Sequence, residues 1–296
     1  MGFYEISLAT VVGINIILAM GLNLITGFCG QISLGHAAFY GIGAYAAALA
    51  AKAGYPLPMA LSVGTITAGI AGIVVGLTSL RVKEDFLAIT TMGVGFLFLG
   101  IVRQQEALGG ELGISSIPSH GMTKPGFLML IICLVVIITL WNIAIKKSWM
   151  GFAFEAVADD ENTAKVLSVD AASYKLAAFA MGTALAGLAG GLYVYFARFI
   201  VPDNFGFITS ISILSMVVVG GIGSVTGVFI STVLLTLMPE FFRFLSDYKL
   251  FVYGALLFSV MRFAPGGIAG LTSDIYHKIK DKGEKNMVNA GKEHAS

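Results

Sequence analysis

The sequence predicts an all-α polytopic membrane protein. Mean hydropathy is +0.87, hydrophobic residues reach 57% while charged ones stay at 12%, and apolar runs recur at the length that crosses a hydrocarbon core of about 30 Å. At about 17–25 residues per crossing, about 8–9 transmembrane helices are expected, with broken or re-entrant segments near residues 27–36 and 220–227. The net charge of +1 implies no nucleic-acid partner, because in a membrane chain the placement of charges matters more than their sum. Cys29 and Cys133 both lie in apolar surroundings and read as small core hydrophobes rather than disulfide or metal ligands.

The first span runs from Ile6 to Ile25; no basic segment precedes it, so it reads as a retained helix and not a signal peptide. Residues 31–51 make the second, with Gln31, Ser33 and His36 at its mouth. Gly27, Gly30 and Gly35 let a helix break there or another backbone come close. Pro56 and Pro58 close the next connection. Leu57 to Leu80 follows, with Gly72 and Gly76 spaced for close helix packing in lipid. Arg81-Val-Lys83-Glu84-Asp85 marks an interface, and Phe86 to Val102 crosses back. A polar, glycine-rich loop, 103–125, leads to the strongly apolar Phe127 to Ile145, which Lys146 and Lys147 stop.

Ser148 to Tyr174 is the one sizeable internal segment too polar to span. It reads as two short helices, the second starting at Asp159 or Asp160, where acidic residues favour a first turn. Phe152, Phe154, Val157, Ala164 and Leu167 offer an apolar side that could dock into a partner's groove or lie on the lipid surface. Leu176 to Ala197 is the next span. Ile208 to Met238 is too long for one crossing and is interrupted by Gly220 to Gly227, so it reads as two. Leu250 to Ala264 is the last, ended by Pro265-Gly266-Gly267. The membrane domain is therefore 1–272, followed by a charged tail, 273–296.

Nine spans put the N-terminus outside and twice as many Lys and Arg residues on the inner face as on the outer, as the positive-inside rule requires. Counting 207–241 as one crossing would separate Lys146 and Lys147 from the lysine-rich tail. No phosphate-binding Gly-rich loop ending in Gly-Lys-Ser/Thr occurs, nor a His/Cys cluster at metal spacing, so no cofactor or metal is implied and any energy source belongs on another subunit. No carboxylate lies centrally in a span, as a proton relay would need. Asn15 and Asn23, eight apart, read as hydrogen-bonding glue between helices. Glu240 reads as a local partner of Arg243, and Tyr193, Tyr195, Phe196 and Phe199 as an interfacial belt.

The stretch Gly21-Leu-Asn23-Leu-Ile-Thr-Gly27-Phe-Cys-Gly30-Gln31-Ile-Ser33-Leu-Gly35-His36, continuing to Tyr45, resembles the signature of the membrane permeases of branched-chain amino acid ABC importers, in particular the M-type subunit. Glu84-Asp85-Phe86, Gly109-Gly110, the Gly151 to Leu167 stretch, Pro202-Asp203-Asn-Phe205, Val219-Gly220-Gly221 and Pro265-Gly266-Gly267 follow in the family's order. The resemblance implies a non-catalytic, multi-pass subunit of a bacterial or archaeal cytoplasmic membrane. It would pair with a related H-type permease, two cytoplasmic ATPase subunits and an external solute-binding protein, within membrane lipid. Leucine, isoleucine, valine or similar hydrophobic amino acids would cross by alternating access.

Residues 151–169 would then be the coupling-helix region, with Phe152, Phe154, Glu155, Asp159, Asp160, Glu161 and Leu167 as candidates for contact with the ATPase. Gln31, Ser33, His36 and Ser224 are candidates for lining the substrate pathway, or for satisfying backbone groups freed by the helix breaks. The two glycine-rich breaks resemble each other as a pseudo-repeat would, and are expected to meet near the membrane midplane. The family often has glycine where this chain has Ser168, and its outer loop differs at Glu111 and Leu112. Alternative readings are a urea or short-chain amide importer, against which Gln31 weighs, and a stand-alone channel or carrier.

Overall fold

The computed structural model describes residues 2–79, 84–119, 121–241 and, between 251 and 270, residues 251, 254–255, 258–260, 262 and 266–270. The interface residues Arg81 to Lys83, Arg243, most of the last span and the tail 273–296 lie outside the described residues. The chain is helical along nearly all of its described length. α1 (Phe3–Leu22) runs on into a π turn, Asn23–Phe28; then come α2 (His36–Lys52), α3 (Leu57–Ser79), α4 (Glu84–Gln104) and α5 (Lys124–Lys146). Two short helices, α6 (Trp149–Asp159) and α7 (Glu161–Val166), precede α8 (Ala171–Ala197), α9 (Phe207–Gly220) and α10 (Val225–Phe241). Among the described residues six helical segments are long and apolar enough to cross a membrane, and the shorter Val225–Glu240 is apolar as well.

Three contacts test the expected orientation. Arg103 pairs with Asp203 at 2.5 Å, and the Tyr4 hydroxyl donates to Glu240; all four residues are expected on the outer side. Lys146 Nζ donates to the Gly223 carbonyl at 2.7 Å, and both are expected on the inner side. Reading 207–241 as two crossings is what brings these groups together: α9 descends, turns at Gly221 and Gly223, where φ is +102° and +79°, and α10 returns. Ser231 Oγ donates to the Met216 carbonyl and locks the pair.

α8 is the axis of the bundle because it is apolar all round and small on several faces. A methyl added at Gly182 would strike the Gly21 carbonyl of α1, at Gly187 the Gly64 carbonyl of α3, and at Gly190 the Tyr40 carbonyl of α2. Gly72 and Gly76 pack on the same helix, against Thr183 and Phe179. α4 and α5 leave most of their surface uncovered, including Phe96, Leu97, Met129 and Val136.

Some expectations are corrected. Cys29 is buried as expected, but Cys133 faces outward on α5. Tyr195 is buried, and Tyr193 joins Tyr40, Tyr45, Phe98 and Phe205 in an internal cluster of rings, so these two do not form an interfacial belt. Glu240 accepts from Tyr4, from the opposite end of the chain; its expected partner Arg243 lies outside the described residues.

Candidate functional site

Within the bundle the α-helical pattern breaks where α1 passes through its π turn and residues 29–35 run without helix to α2. Irregular backbone is tolerated at membrane depth only where protein satisfies it, and here particular side chains do so. The Thr26 hydroxyl donates to the Gln31 carbonyl at 3.0 Å, Thr91 Oγ1 accepts from Leu34 N–H at 3.0 Å, and Ser210 Oγ accepts from Ala37 N–H at 3.1 Å. All three hydroxyl residues are buried. Sequence reading missed them because hydroxyl residues recur along the spans, as Thr90 and Ser212 do beside Thr91 and Ser210, and the sequence does not say which of them meets a break.

Gln31, Ser33 and His36 are buried inside this leg. The Gln31 amide reaches only Cys29 Sγ, at 3.7 Å, and Gln31 Oε1, Ser33 Oγ and both His36 ring nitrogens have no hydrogen-bond partner of good geometry. The Leu18 carbonyl lies beside the His36 ring, and a methyl at Gly21 would sit 3.5 Å from its Nε2. These side chains therefore do not carry the backbone of the break. Ser224 stands apart from them: its hydroxyl accepts from Gly227 N–H at 3.1 Å and caps α10.

The two breaks do meet, at the inner end of the bundle rather than its middle. Asn23 Oδ1 accepts from Gly223 N–H at 3.0 Å, and a methyl on Gly27 would lie 2.6 Å from Gly223 N. The meeting point sits above α6. Gly30, at φ +70°, leaves 3.1 Å between an added methyl and Ala158. A cavity of about 310 Å³ opens there, bordered by Lys146, Glu155, Asp159, Gly223 and Ser224.

α6 and α7 divide their residues between two sides. Phe154 is fully buried, edge-on to Tyr174 at 5.9 Å, with Val157 and Ala164 also inward. Trp149, Phe152, Val166 and Leu167 are 79%, 60%, 84% and 69% exposed. Phe154 is thus removed from any outward contact, because the apolar residues of α6 are shared between its inner and outer faces.

The carboxylates divide likewise. Glu155 and Asp159 are exposed. Asp160 caps α7, accepting from the Thr163 hydroxyl at 2.7 Å and Asn162 N–H at 2.9 Å, and these bonds hold its pKa below the ordinary carboxylate value. Glu161 binds Lys165 at 2.8 Å and the buried Lys175 at 2.6 Å, and its pKa is lowered by Lys165 first and Lys175 second. Asp170 caps α8 through Ser173, which lowers its pKa too. These bonds make Asp160 and Glu161 pieces of the elbow that α6 and α7 form.

Residues 5–261 match the family described as the permease component of branched-chain amino acid transport systems. The chain belongs to this permease family. It is 32% identical to the high-affinity branched-chain amino acid transport system permease protein LivM of Salmonella typhimurium and to that of Escherichia coli, over 90% of this chain and 70% of each relative. It is also 27% identical to the permease protein LivH of Salmonella typhimurium, over 86% of this chain and 90% of the relative. No solved structure matches it. The permease match spans every described transmembrane helix, both breaks and the elbow, so the geometry above is that of the family's matched region.

Proposed function

We propose that this chain is the permease subunit of an ATP-driven importer for leucine, isoleucine, valine and similar hydrophobic amino acids, and that it contributes no catalytic step of its own. A second, related permease completes the membrane unit; that the chain is similar both to proteins named LivM and to one named LivH supports such pairing. Two ATPase subunits on the inner side and an external solute-binding protein complete the machine.

The observation that carries the reading is the exposed apolar set Trp149, Phe152, Val166 and Leu167, on an elbow that rests against both broken segments. An ATPase groove taking these side chains would move α6 as a rigid body, and α6 borders the leg at Gly30 and the hairpin at Gly223. Residues 151–169 are the coupling region in this reading. Glu155 and Asp159 rim the docking face, while Asp160, Glu161 and Phe154 hold its shape.

The test is uptake of radiolabelled leucine into vesicles carrying this chain with its partner subunits, with and without ATP. ATP-dependent uptake is expected. Phe152→Asp and Val166→Asp are expected to lower it with loss of bound ATPase on co-purification. Uptake by this chain alone, indifferent to ATP, would overturn the proposal. Charge reversal at Asp160 or Glu161 would be a poor probe, since it breaks the elbow as well.

A further inference from the structure

At the other end of the bundle, between α1, α9 and α10, a cavity of about 480 Å³ opens toward the outer side. Its size falls within the roughly 300–1,000 Å³ of small-molecule sites. Leu18, Ile213 and Met216 lie deepest along their helices, and Leu235 joins them from α10. Polar groups share the lining with this apolar surface, most of them nearer the mouth. Asn15 Nδ2 donates to Thr236 Oγ1 at 3.1 Å, and Asn204 Nδ2 donates to the Tyr193 hydroxyl at 3.2 Å. Asp203 borders the mouth, paired with Arg103 at 2.5 Å.

We propose that this cavity binds a small zwitterionic amino acid with a branched apolar side chain, within a single subunit and on the outer side. The proposal rests on the importer reading for the identity of the ligand. A zwitterion needs an acceptor for its ammonium and a donor for its carboxylate, and carries no net charge. Asp203 at the mouth supplies the acceptor, and the second N–H of the Asn15 and Asn204 amides supplies the donors. Arg103, outside the lining, compensates Asp203, so the empty cavity carries no bare charge. The side chain then enters the Leu18, Ile213, Met216 surface. A lysine or glutamate side chain would meet this surface with no counter-charge, which desolvation penalises heavily. Urea would leave it unfilled.

The binding protein would thus hand its cargo to a waiting site, not to an inert channel. Neither Gln31, Ser33 nor His36 borders this cavity. Leu18 does, and its carbonyl lies beside the His36 ring, so His36 lies just beneath the floor.

The experiment uses the complex with partner permease and ATPases, reconstituted in vesicles without the solute-binding protein. Cys133→Ser removes the exposed native thiol, and Ser212→Cys places one in the cavity wall. Leucine is expected to slow modification of Cys at 212 by a small, membrane-impermeant thiosulfonate; lysine and urea are not. Met216→Trp, which fills the floor, should raise the leucine concentration needed for protection by about tenfold. Met216→Leu should leave it unchanged. In the same vesicles, ATP-driven leucine uptake is measured with the binding protein added. Uptake without leucine protection would overturn the site and leave the importer standing. Neither uptake nor protection would overturn the importer reading and the ligand assignment together.

Discussion

Gly223 N–H donates to Asn23 Oδ1 at 3.0 Å, while Lys146 Nζ donates to the Gly223 carbonyl at 2.7 Å. Both polar groups of one hairpin residue are thus held, one by the π turn that follows α1 and one by the end of α5. The two breaks in the bundle share this clamp, and α6 lies directly below it. Any displacement of α6 acts on a junction, not on a single helix.

Removing the buried half of the clamp has a defined cost. Asn23→Leu strips the acceptor from the part-buried Gly223 N–H, and a donor left without its partner costs up to roughly 1–3 kcal/mol. A lower thermal midpoint of the purified protein in detergent is expected. Asn23→Asp retains the acceptor but buries a carboxylate, and should lose at least as much. Lys146→Met should lose less, because Lys146 is exposed and water can replace its ammonium.

Glycine substitutions should separate packing from mere occurrence. A methyl at Gly43 would enter the backbone of Gly187, whereas one at Gly93 meets nothing within 4 Å. Gly43→Ala should force α2 from α8 and sharply lower the yield of folded protein. Gly93→Ala should be neutral or slightly stabilising, since alanine is favoured over glycine in a helix by about 1 kcal/mol. Size-exclusion profiles and thermal midpoints of the two variants would check the contrast.

What the sequence made legible follows physical range. The described spans and the two breaks are local properties of hydropathy and glycine spacing, and are readable from the chain. Asn15 and Asn23 were readable as interhelical glue because an amide in an apolar run needs a partner. Their partners, Thr236 and Gly223, were not, since they lie 221 and 200 positions away. The sharing of α6 between Phe154 inside and Phe152 outside was hidden because apolar periodicity does not say which of two covers, bundle or partner, each face receives.

The elbow should weaken in acid. Glu161 has its pKa lowered by Lys165 and Lys175, so its contribution is fully present above the unfolded carboxylate value of about 4.5. It is lost as pH falls through the lower folded value. Asp160, also lowered, acts in the same direction. Glu161→Gln should therefore lower the thermal midpoint at pH 7, with the gap to the parent protein narrowing below about pH 4.5. A gap that stays constant across that range would rule out the carboxylate as its source.

The end of α7 offers a gain in stability. Ser168 N–H donates to the Lys165 carbonyl and Val169 N–H to the Ala164 carbonyl, each at 3.0 Å, the paired bonds of a Schellman turn. Such a turn needs its first residue beyond the cap in the left-handed region, and Ser168 has φ +64°. A side chain there costs roughly 1–2 kcal/mol that glycine avoids, although glycine returns part of the gain through a freer unfolded chain. Replacing serine with the residue the family often carries therefore leaves the turn in place and relieves it. Ser168→Gly is expected to stabilise the protein by about 0.5–1 kcal/mol, read as a raised thermal midpoint with leucine uptake unchanged. If the midpoint falls instead, the serine stabilises the turn in a way its backbone conformation does not account for.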